Sequence, residues 1–236
     1  MDSQSTPTIQ PALYLVSTPI GNKEDITIRS LKLLQQVQYI ACEDTRTTGQ
    51  LLKMYGIGNK HFIPCPEQQQ AEKSTYIRSL IQQGNPVIYV SDAGSPCISD
   101  PGSWLVASMI EHQIQVIALP GATALVPAIQ VSGFDTSRFY FYGFLPKKGR
   151  NAILITLLGK EETVILYEST HRIISLMEEI AGIESTRLVC ICREITKKFE
   201  ETIRGTVTEC LTQLQKDSQS IKGEFVVVLE GKNDKK

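Results

Sequence analysis

The stretch VIYVSDAGSPCISDPGSW (87–104) joins a run of β-favouring residues to a run of small ones and then to a helix start. The four apolar residues Val87–Val90 predict a buried strand. Gly94 follows it and lets the main chain approach a ligand without an intervening side chain. Asp100 and Pro101 predict the N-cap and first turn of a helix. Ligands of open α/β sheets bind at the carboxyl ends of strands, so we expect a binding loop here.

A second loop of the same kind follows the next predicted strand. In VIALPGATA (116–124), a β-favouring run again ends in proline, glycine and small residues. Either loop alone fits an ordinary strand-to-helix turn. Two such loops after consecutive strands favour a shared binding role.

Strands and helices alternate along the first half of the chain, which predicts a mostly parallel sheet with helices on both faces. Beyond it, strand candidates outnumber the helices between them, which favours a mixed, partly antiparallel sheet. We therefore predict an α/β protein of two α/β domains. The predicted boundaries are a frayed N-terminus over 1–11, an N-terminal domain over 12–119, a C-terminal domain over 120–231 and a solvated tail over 232–236.

Local signals in the N-terminal domain predict where several elements begin. Asp25 is expected to cap a helix and Thr45 to cap the next one, while the proline-containing segment 58–67 is expected to be irregular. The first of these helices has apolar residues at helical spacing: Ile28, Leu31, Leu34 and Val37.

Composition argues against several classes of protein. The 236 residues have a formal net charge of −1, so any nucleic-acid partner must contact a local basic patch. Six cysteines without a C-x-x-C pair and three scattered histidines predict reduced thiols, a cytoplasmic location and no metal site. No apolar run has the length of a membrane span, and the common glycine-rich nucleotide-binding motifs are absent.

Charged residues follow two of the predicted strands. CEDTR (42–46) offers two carboxylates and an arginine that could bind or activate a polar substrate. A helix cap with a surface ion pair is the alternative. REITKKFEE (193–201) likewise ends a strand, and a lysine there could contact phosphate unless the segment is a solvated turn.

An aromatic strand ends in a basic segment in RFYFYGFLPKKGR (138–150). Alternation of its aromatic residues predicts a strand covered on both faces. The basic residues after the proline are predicted to form a mobile loop, and they are the best local candidates for contact with an RNA backbone: Lys147, Lys148 and Arg150.

Motifs of several residues recur in a fixed order along nearly the whole chain. They are TPIGNxxDITIRSL (18–31), ACEDTR (41–46), SDAGSPxISDPG (91–102), PGATA (120–124), GFLPKK (143–148), YESTHR (167–172), REITKKFEE (193–201) and RGT (204–206). With these motifs the chain resembles the ribosomal small-subunit methyltransferase I group. That group lies within the tetrapyrrole-methylase superfamily, the class III S-adenosylmethionine methyltransferases.

The resemblance implies two α/β domains with S-adenosylmethionine in the cleft between them, usually in a homodimer. It also implies 2′-O-methylation of a cytidine ribose in the decoding region of 16S rRNA, on RNA or on the 30S subunit. Carried over by motif, the cofactor contacts are Pro19, Asp92, Ala93, Gly94, Ser95, Thr123, Ala124 and Gly223. Two departures concern RNA recognition: IPCPEQQ (63–69) stands where members carry histidine and asparagine, and many members extend further at the C-terminus.

A ribose hydroxyl is a poor nucleophile, so its methylation needs a base or a stabilising cation. We expect Glu43 or Asp44 to be the base or to orient the substrate, with Arg46 positioning phosphate. Lys197 and Arg193 are expected to face them from the second domain. Two alternatives are a related methyltransferase acting on a tetrapyrrole or other small molecule, and a non-catalytic module that binds RNA or senses S-adenosylmethionine. The basic segment and the long charged motifs argue against the small-molecule substrate.

Overall fold

The computed structural model describes residues 9–216 and 221–232. The chain divides into two compact units between Thr123 and Ala124, and we call these the N-terminal and C-terminal units. Most of the predicted frayed start and solvated tail, 1–8 and 233–236, lies outside the described residues. Within the described ranges, no helix is both long and apolar enough to cross a membrane.

The N-terminal unit is built on a five-stranded sheet. Its strands are β1 (Leu13–Leu15), β2 (Tyr39–Cys42), β3 (His61–Pro64), β4 (Val87–Val90) and β5 (Val116–Ala118). Its helices are α1 (Ile28–Gln36), α2 (Thr45–Met54), α3 (Gln70–Gln82) and α4 (Ser103–Glu111). The strand order is β3-β2-β4-β1-β5, and all pairs are parallel, which confirms the predicted parallel sheet.

The central strand β4 explains why this sheet has helices on both faces. Successive side chains of a strand point to opposite faces. Ile88 and Val90 accordingly enter one buried cluster, whereas Val87 and Tyr89 enter the other. All four residues are buried, as the unbroken apolar run predicts.

Three predicted helix starts are displaced. Asp25 ends a short 3₁₀ turn, and the cap of α1 is Thr27, whose Oγ1 accepts a hydrogen bond from the Ser30 amide at 3.1 Å. The cap of α2 is Asp44, one residue before the predicted Thr45. Helix α4 begins two residues later than Asp100 and Pro101 predict, after Gly102 at a φ of +133°.

Two further expectations for the N-terminal unit are wrong. Ile28 is the first residue of α1 and is 72% exposed, so the apolar stripe begins later in the helix. The segment 58–67, expected to be irregular, contains β3. This strand lies at the sheet edge, where Pro64 is tolerated because its missing N–H would face away from β2.

The C-terminal unit contains the mixed sheet that the strand-rich sequence predicts. Its elements are α5 (Leu125–Ser132), β6 (Phe139–Phe144), α6 (Arg150–Leu158), β7 (Thr163–Ser169), α7 (Ile173–Glu184), β8 (Leu188–Arg193), β9 (Glu201–Thr206), α8 (Val207–Lys216) and β10 (Glu224–Leu229). The order is β6-β7-β10-β8-β9; β6 pairs parallel with β7, and the other pairs are antiparallel. Residues of α6, α7 and α8 pack with one face of this sheet in a single apolar cluster.

Strand β6 differs from the predicted strand covered on both faces. It lies at the sheet edge, and its pairing with β7 shifts between Phe141 and Gly143. An edge strand has a neighbouring strand on one side only. Phe139, Tyr140 and Phe144 of β6 are 46%, 40% and 54% exposed.

A buried arginine joins three element ends in the C-terminal unit. Arg187 donates through Nη1 to the Glu230 carbonyl at 2.7 Å and through Nη2 to the Leu158 carbonyl at 2.6 Å. Nη2 also pairs with a Glu184 carboxylate oxygen at 2.7 Å. The guanidinium therefore connects the regions where α6, α7 and β10 end.

Candidate functional site

Loops after β1, β4 and β5 are joined at the carboxyl edge of the N-terminal sheet. The Thr18 and Gly94 amides each donate to the other residue's carbonyl, at 2.9 and 3.0 Å. The Ser95 hydroxyl lies 2.9 Å from the Ser17 hydroxyl and donates to the Ala122 carbonyl at 2.9 Å. The two predicted small-residue loops are thus held together, with the turn after β1 as a third member.

Gly94 has both a conformational and a steric reason to be glycine. Its φ of +78° is unfavourable for other residues. A Cβ there would lie 3.3 Å from Ile20 Cγ2. Asp92 and Ala93, just before it, are exposed and therefore accessible to a ligand.

The two adjacent carboxylates of the EDTR motif have different environments. Asp44 Oδ1 accepts the Arg46 amide at 2.7 Å, and Asp44 Oδ2 pairs with Arg46 Nη2 at 2.8 Å. The hydrogen bond from the Arg46 side chain is the main reason that the pKa of Asp44 falls to about 2. Asp44 is therefore a helix cap in an ion pair. This is the alternative that the sequence offered to a substrate-binding role for CEDTR.

Glu43 is the better candidate for a base. Burial, and next to it the negative charge of Asp92, raises the pKa of Glu43 above its ordinary value. Burial also raises the pKa of Asp92. The Asp44 amide donates to Asp92 Oδ1 at 3.2 Å. Glu43 and Asp92 therefore lie together beside the joined loops.

Charged motifs of the C-terminal unit meet at one end of its sheet. Lys197 Nζ lies 2.9 Å from Glu194 Oε1 and 2.8 Å from Glu224 Oε2. Burial alone would lower the pKa of Lys197, but the hydrogen bonds to these two carboxylates outweigh it and the pKa is raised. Lys197 is consequently held as an ammonium ion and is a poor base.

The same end of the sheet holds Arg193 and Gly223. Arg193 Nε pairs with Glu201 Oε2 at 3.1 Å, and Nη1 donates to the Lys222 carbonyl at 3.1 Å. Gly223 has a φ of +111°, and a Cβ there would lie 2.5 Å from Glu194 Cγ. Any larger residue at 223 would therefore disturb the carboxylate that holds Lys197.

The basic segment after β6 contains two exposed lysines and one arginine that is held in place. Lys147 and Lys148 are exposed. Arg150 instead begins α6, where its Nε donates to Glu179 Oε2 at 2.7 Å. The prediction of a mobile Arg150 is wrong, because Glu179 of α7 fixes its guanidinium.

The YESTHR motif contains an arginine–glutamate ion pair that its sequence alone does not predict. Arg172 Nη2 donates to the Leu145 carbonyl at 2.8 Å, and its Nε lies 3.4 Å from Glu168 Oε1. Glu168 is 2% exposed, and its Oε2 accepts no hydrogen bond from the described residues. One sequence signal could have indicated this pair. The YESTHR motif ends a predicted strand, and the strand before it along the chain ends in GFLPKK, so the two motifs lie side by side when these strands pair in parallel.

We expect Gly121→Ala to lower the stability of the N-terminal unit by about 1–3 kcal/mol, the usual cost of overpacking. The new Cβ would lie 2.6 Å from Ser17 Cβ and would separate the joined loops. Thermal unfolding followed by the fluorescence of Trp104 measures the effect. Gly58→Ala is the control, since a Cβ there meets nothing within 4 Å. Equal unfolding temperatures for both variants would contradict the tight contact.

The described residues contain no group of three or more histidine, cysteine or acidic side chains arranged to hold a metal ion. The chain matches the family Tetrapyrrole (Corrin/Porphyrin) Methylases over residues 12–211. The fold and its loop-bearing sheet edge therefore define the class: this chain belongs to the tetrapyrrole methylases.

Within that class, curated relatives indicate the group that the motifs predict. The chain is 44% identical to the Hydrogenobaculum sp. protein Ribosomal RNA small subunit methyltransferase I, over 94% of this chain and 96% of the relative. Proteins of the same name from Thermotoga maritima and Bacillus subtilis are 42% and 40% identical. They are matched over 93% and 94% of this chain and 98% and 76% of their own lengths. Membership of the ribosomal RNA small subunit methyltransferase I group is thereby confirmed.

Solved structures of low sequence identity share the fold. A cobalt precorrin-4 methyltransferase aligns with a TM-score of 0.69 and 16% identity, covering 93% of this chain and 95% of its own. Diphthine synthase aligns with a TM-score of 0.71 and 13% identity, covering 92% and 89%. A uroporphyrin-III C-methyl transferase from Thermus thermophilus, complexed with S-adenyl homocysteine, gives 0.61 and 14%, covering 93% and 97%.

Proposed function

We propose that this protein transfers a methyl group from S-adenosylmethionine to the 2′-hydroxyl of a cytidine ribose in the decoding region of 16S rRNA. We further propose that it acts in the cytoplasm as a homodimer. The observation that carries the reaction is Glu43, a half-buried carboxylate of raised pKa beside Asp92 and the three joined loops. The names of the relatives support small-subunit rRNA as the substrate.

The chemistry of the loops fits the proposed cofactor. S-adenosylmethionine, when bound, would supply a methyl group on a positively charged sulfur; attack by the ribose oxygen on the methyl carbon would break the carbon–sulfur bond and release S-adenosylhomocysteine. The exposed Asp92 carboxylate can accept hydrogen bonds from the ammonium or the ribose hydroxyls of the cofactor. The residues proposed to hold it are Pro19, Asp92, Ala93, Gly94, Ser95, Thr123, Ala124 and Gly223.

In the proposed reaction, Glu43 accepts the proton of the ribose hydroxyl. A raised pKa makes Glu43 a stronger base than an ordinary glutamate. Asp44 holds Arg46, whose side chain is 85% exposed and can position a phosphate of the substrate. Lys197 contributes a fixed positive charge, because Glu194 and Glu224 keep it protonated.

The proposed RNA contacts lie in the C-terminal unit. Lys147 and Lys148 are exposed and can neutralise backbone phosphates. Arg150 and Arg193 already bond to protein carboxylates, so they would contribute to RNA binding as rigid rather than mobile cations.

Methyl transfer to isolated 30S subunits tests the proposal. Subunits from cells that lack this protein should gain 2′-O-methylcytidine when incubated with the enzyme and S-adenosylmethionine, as measured by nucleoside mass spectrometry of the 16S rRNA. A methyl group found on a base would overturn the ribose assignment. Transfer to a tetrapyrrole and not to rRNA would favour the small-molecule alternative, and cofactor binding without any transfer would favour a sensing module.

A further inference from the structure

A groove of about 800 Å³ lies between α6 and α7 on the C-terminal unit. Among the described residues that line it, three are cationic and Glu179 is the single carboxylate. The cations are Lys147, Arg150 and Arg172. The groove therefore has an excess of positive charge, although the whole chain has a net charge of −1.

Both arginines are fixed in place before any ligand binds. Arg150 Nη2 donates to Ser175 Oγ at 2.8 Å, in addition to its pair with Glu179. Arg172 is held by the Leu145 carbonyl and by Glu168. Their side chains are only 13% and 22% exposed, so little side-chain entropy remains to be lost on binding.

Each arginine still has hydrogen-bonding capacity for a ligand. Neither the Arg150 Nη1 nor the Arg172 Nη1 group donates a hydrogen bond to any other described side chain or carbonyl. A planar guanidinium with a remaining donor face suits phosphate oxygens better than a lysine does. At about 800 Å³ the groove is much larger than a single phosphate, so an extended polyanion fits it better than a single ion.

We propose that the α6–α7 groove binds the sugar–phosphate backbone of the rRNA substrate, as an anchoring contact made by residues other than those that transfer the methyl group. The proposal rests on the proposed function for RNA as the substrate and for Lys147 and Arg150 as contacts, and it adds Arg172 and the groove that all three line. Arg172, Arg150 and Lys147 provide the phosphate contacts. Asn151, the second residue of α6, lines the same groove and can donate to a backbone oxygen.

Gly182 allows the charge of the groove to be changed without disturbing its walls. This residue lies in α7, is exposed and lines the groove, and a Cβ added to it meets nothing within 4 Å. Gly182→Glu, Gly182→Gln and Gly182→Lys place a negative, a neutral and a positive group at the same point. All three replace a helical glycine by a better helix former, so their unfolding temperatures should equal or exceed that of the unchanged protein.

We expect KM for 30S subunits to rise about 3- to 10-fold in Gly182→Glu relative to Gly182→Gln, and to fall in Gly182→Lys, as one added surface charge near a phosphate would cause. The kcat values of the three variants should agree, because the reacting groups are untouched. The difference among variants should shrink with added salt. Equal KM values for the three variants would overturn the proposal.

Binding of 16S rRNA without S-adenosylmethionine, measured by filter retention, separates this proposal from the proposed function. Charge-dependent binding without methyl transfer by the unchanged protein would reject the methylation and retain the groove as an RNA site. Normal methylation with binding that ignores the charge at residue 182 would reject the groove and retain the methylation.

Discussion

Glu43→Gln is expected to lower kcat for rRNA methylation by about 10²- to 10⁴-fold, which is the usual contribution of a positioned general base. The amide has the shape of the carboxylate but cannot accept the proton of the ribose hydroxyl. Cofactor affinity should change little, because the joined loops depend on Thr18, Gly94 and Ser95 rather than on Glu43. Single-turnover rates and calorimetry with S-adenosylmethionine measure the two quantities separately.

The pH profile gives a second readout of the same residue. Glu43 must be ionised to act, so kcat should fall as the pH drops through its pKa. Because burial and Asp92 raise this pKa, the fall should begin at a higher pH than for an ordinary glutamate, and Glu43→Gln should abolish it.

Asp44→Asn is the matched control for this residue. It removes the ion pair that holds Arg46 while asparagine can still cap α2, so KM for 30S subunits should rise as Arg46 loses its position, whereas kcat should remain within a few-fold of the unchanged enzyme. If instead Asp44→Asn were inactive and Glu43→Gln active, the roles assigned to the two carboxylates would be reversed.

Arg187→Met is expected to lower the free energy of unfolding of the C-terminal unit by about 3–5 kcal/mol, as for removal of one partner from a buried polar pair. Methionine fills much of the space but leaves the carbonyls of Leu158 and Glu230 without their donor. Urea unfolding, monitored by the hydrogen exchange of the β8 and β10 amides, measures the loss of unfolding free energy.

Arg29→Met is the surface control for the change of side chain. Arg29 is an exposed residue of α1, so its replacement should alter stability by less than about 0.5 kcal/mol. A loss of similar size in both variants would contradict a special role for the buried guanidinium.

Strand β4, buried on both faces, was predictable from the sequence, whereas the edge strand β3 was not. Val87–Val90 is an uninterrupted apolar run because both faces of β4 are covered, and its predicted bounds agree with the structure. Strand β3 has only one buried residue, Ile63, and contains a proline, so no local pattern distinguishes it from a loop. The exposed aromatics of β6 depend on which strands lie beside it, and that is a property of the topology.

The candidate site was predictable as a set of motifs but not as a set of roles. Glu43 and Asp44 are adjacent acids, and only the folded surroundings separate them: Arg46 lowers one pKa, and burial raises the other. The partner of Lys197 in β10, Glu224, comes from a strand distant in sequence. Such long-range pairs arise from antiparallel pairing, so residue spacing along the chain does not indicate them.

The one-sided arrangement of the N-terminal sheet has a practical consequence for attaching the enzyme to a surface. Its joined loops all follow strand carboxyl ends, while the exposed turn 83–84 leads into the opposite end of β4. Gly84, at a φ of +89° and with open space around it, marks a point where a flexible glycine-rich tether could be spliced in. An enzyme fixed to a sensor chip through this turn would keep its loop-bearing edge directed toward the flowing ligand.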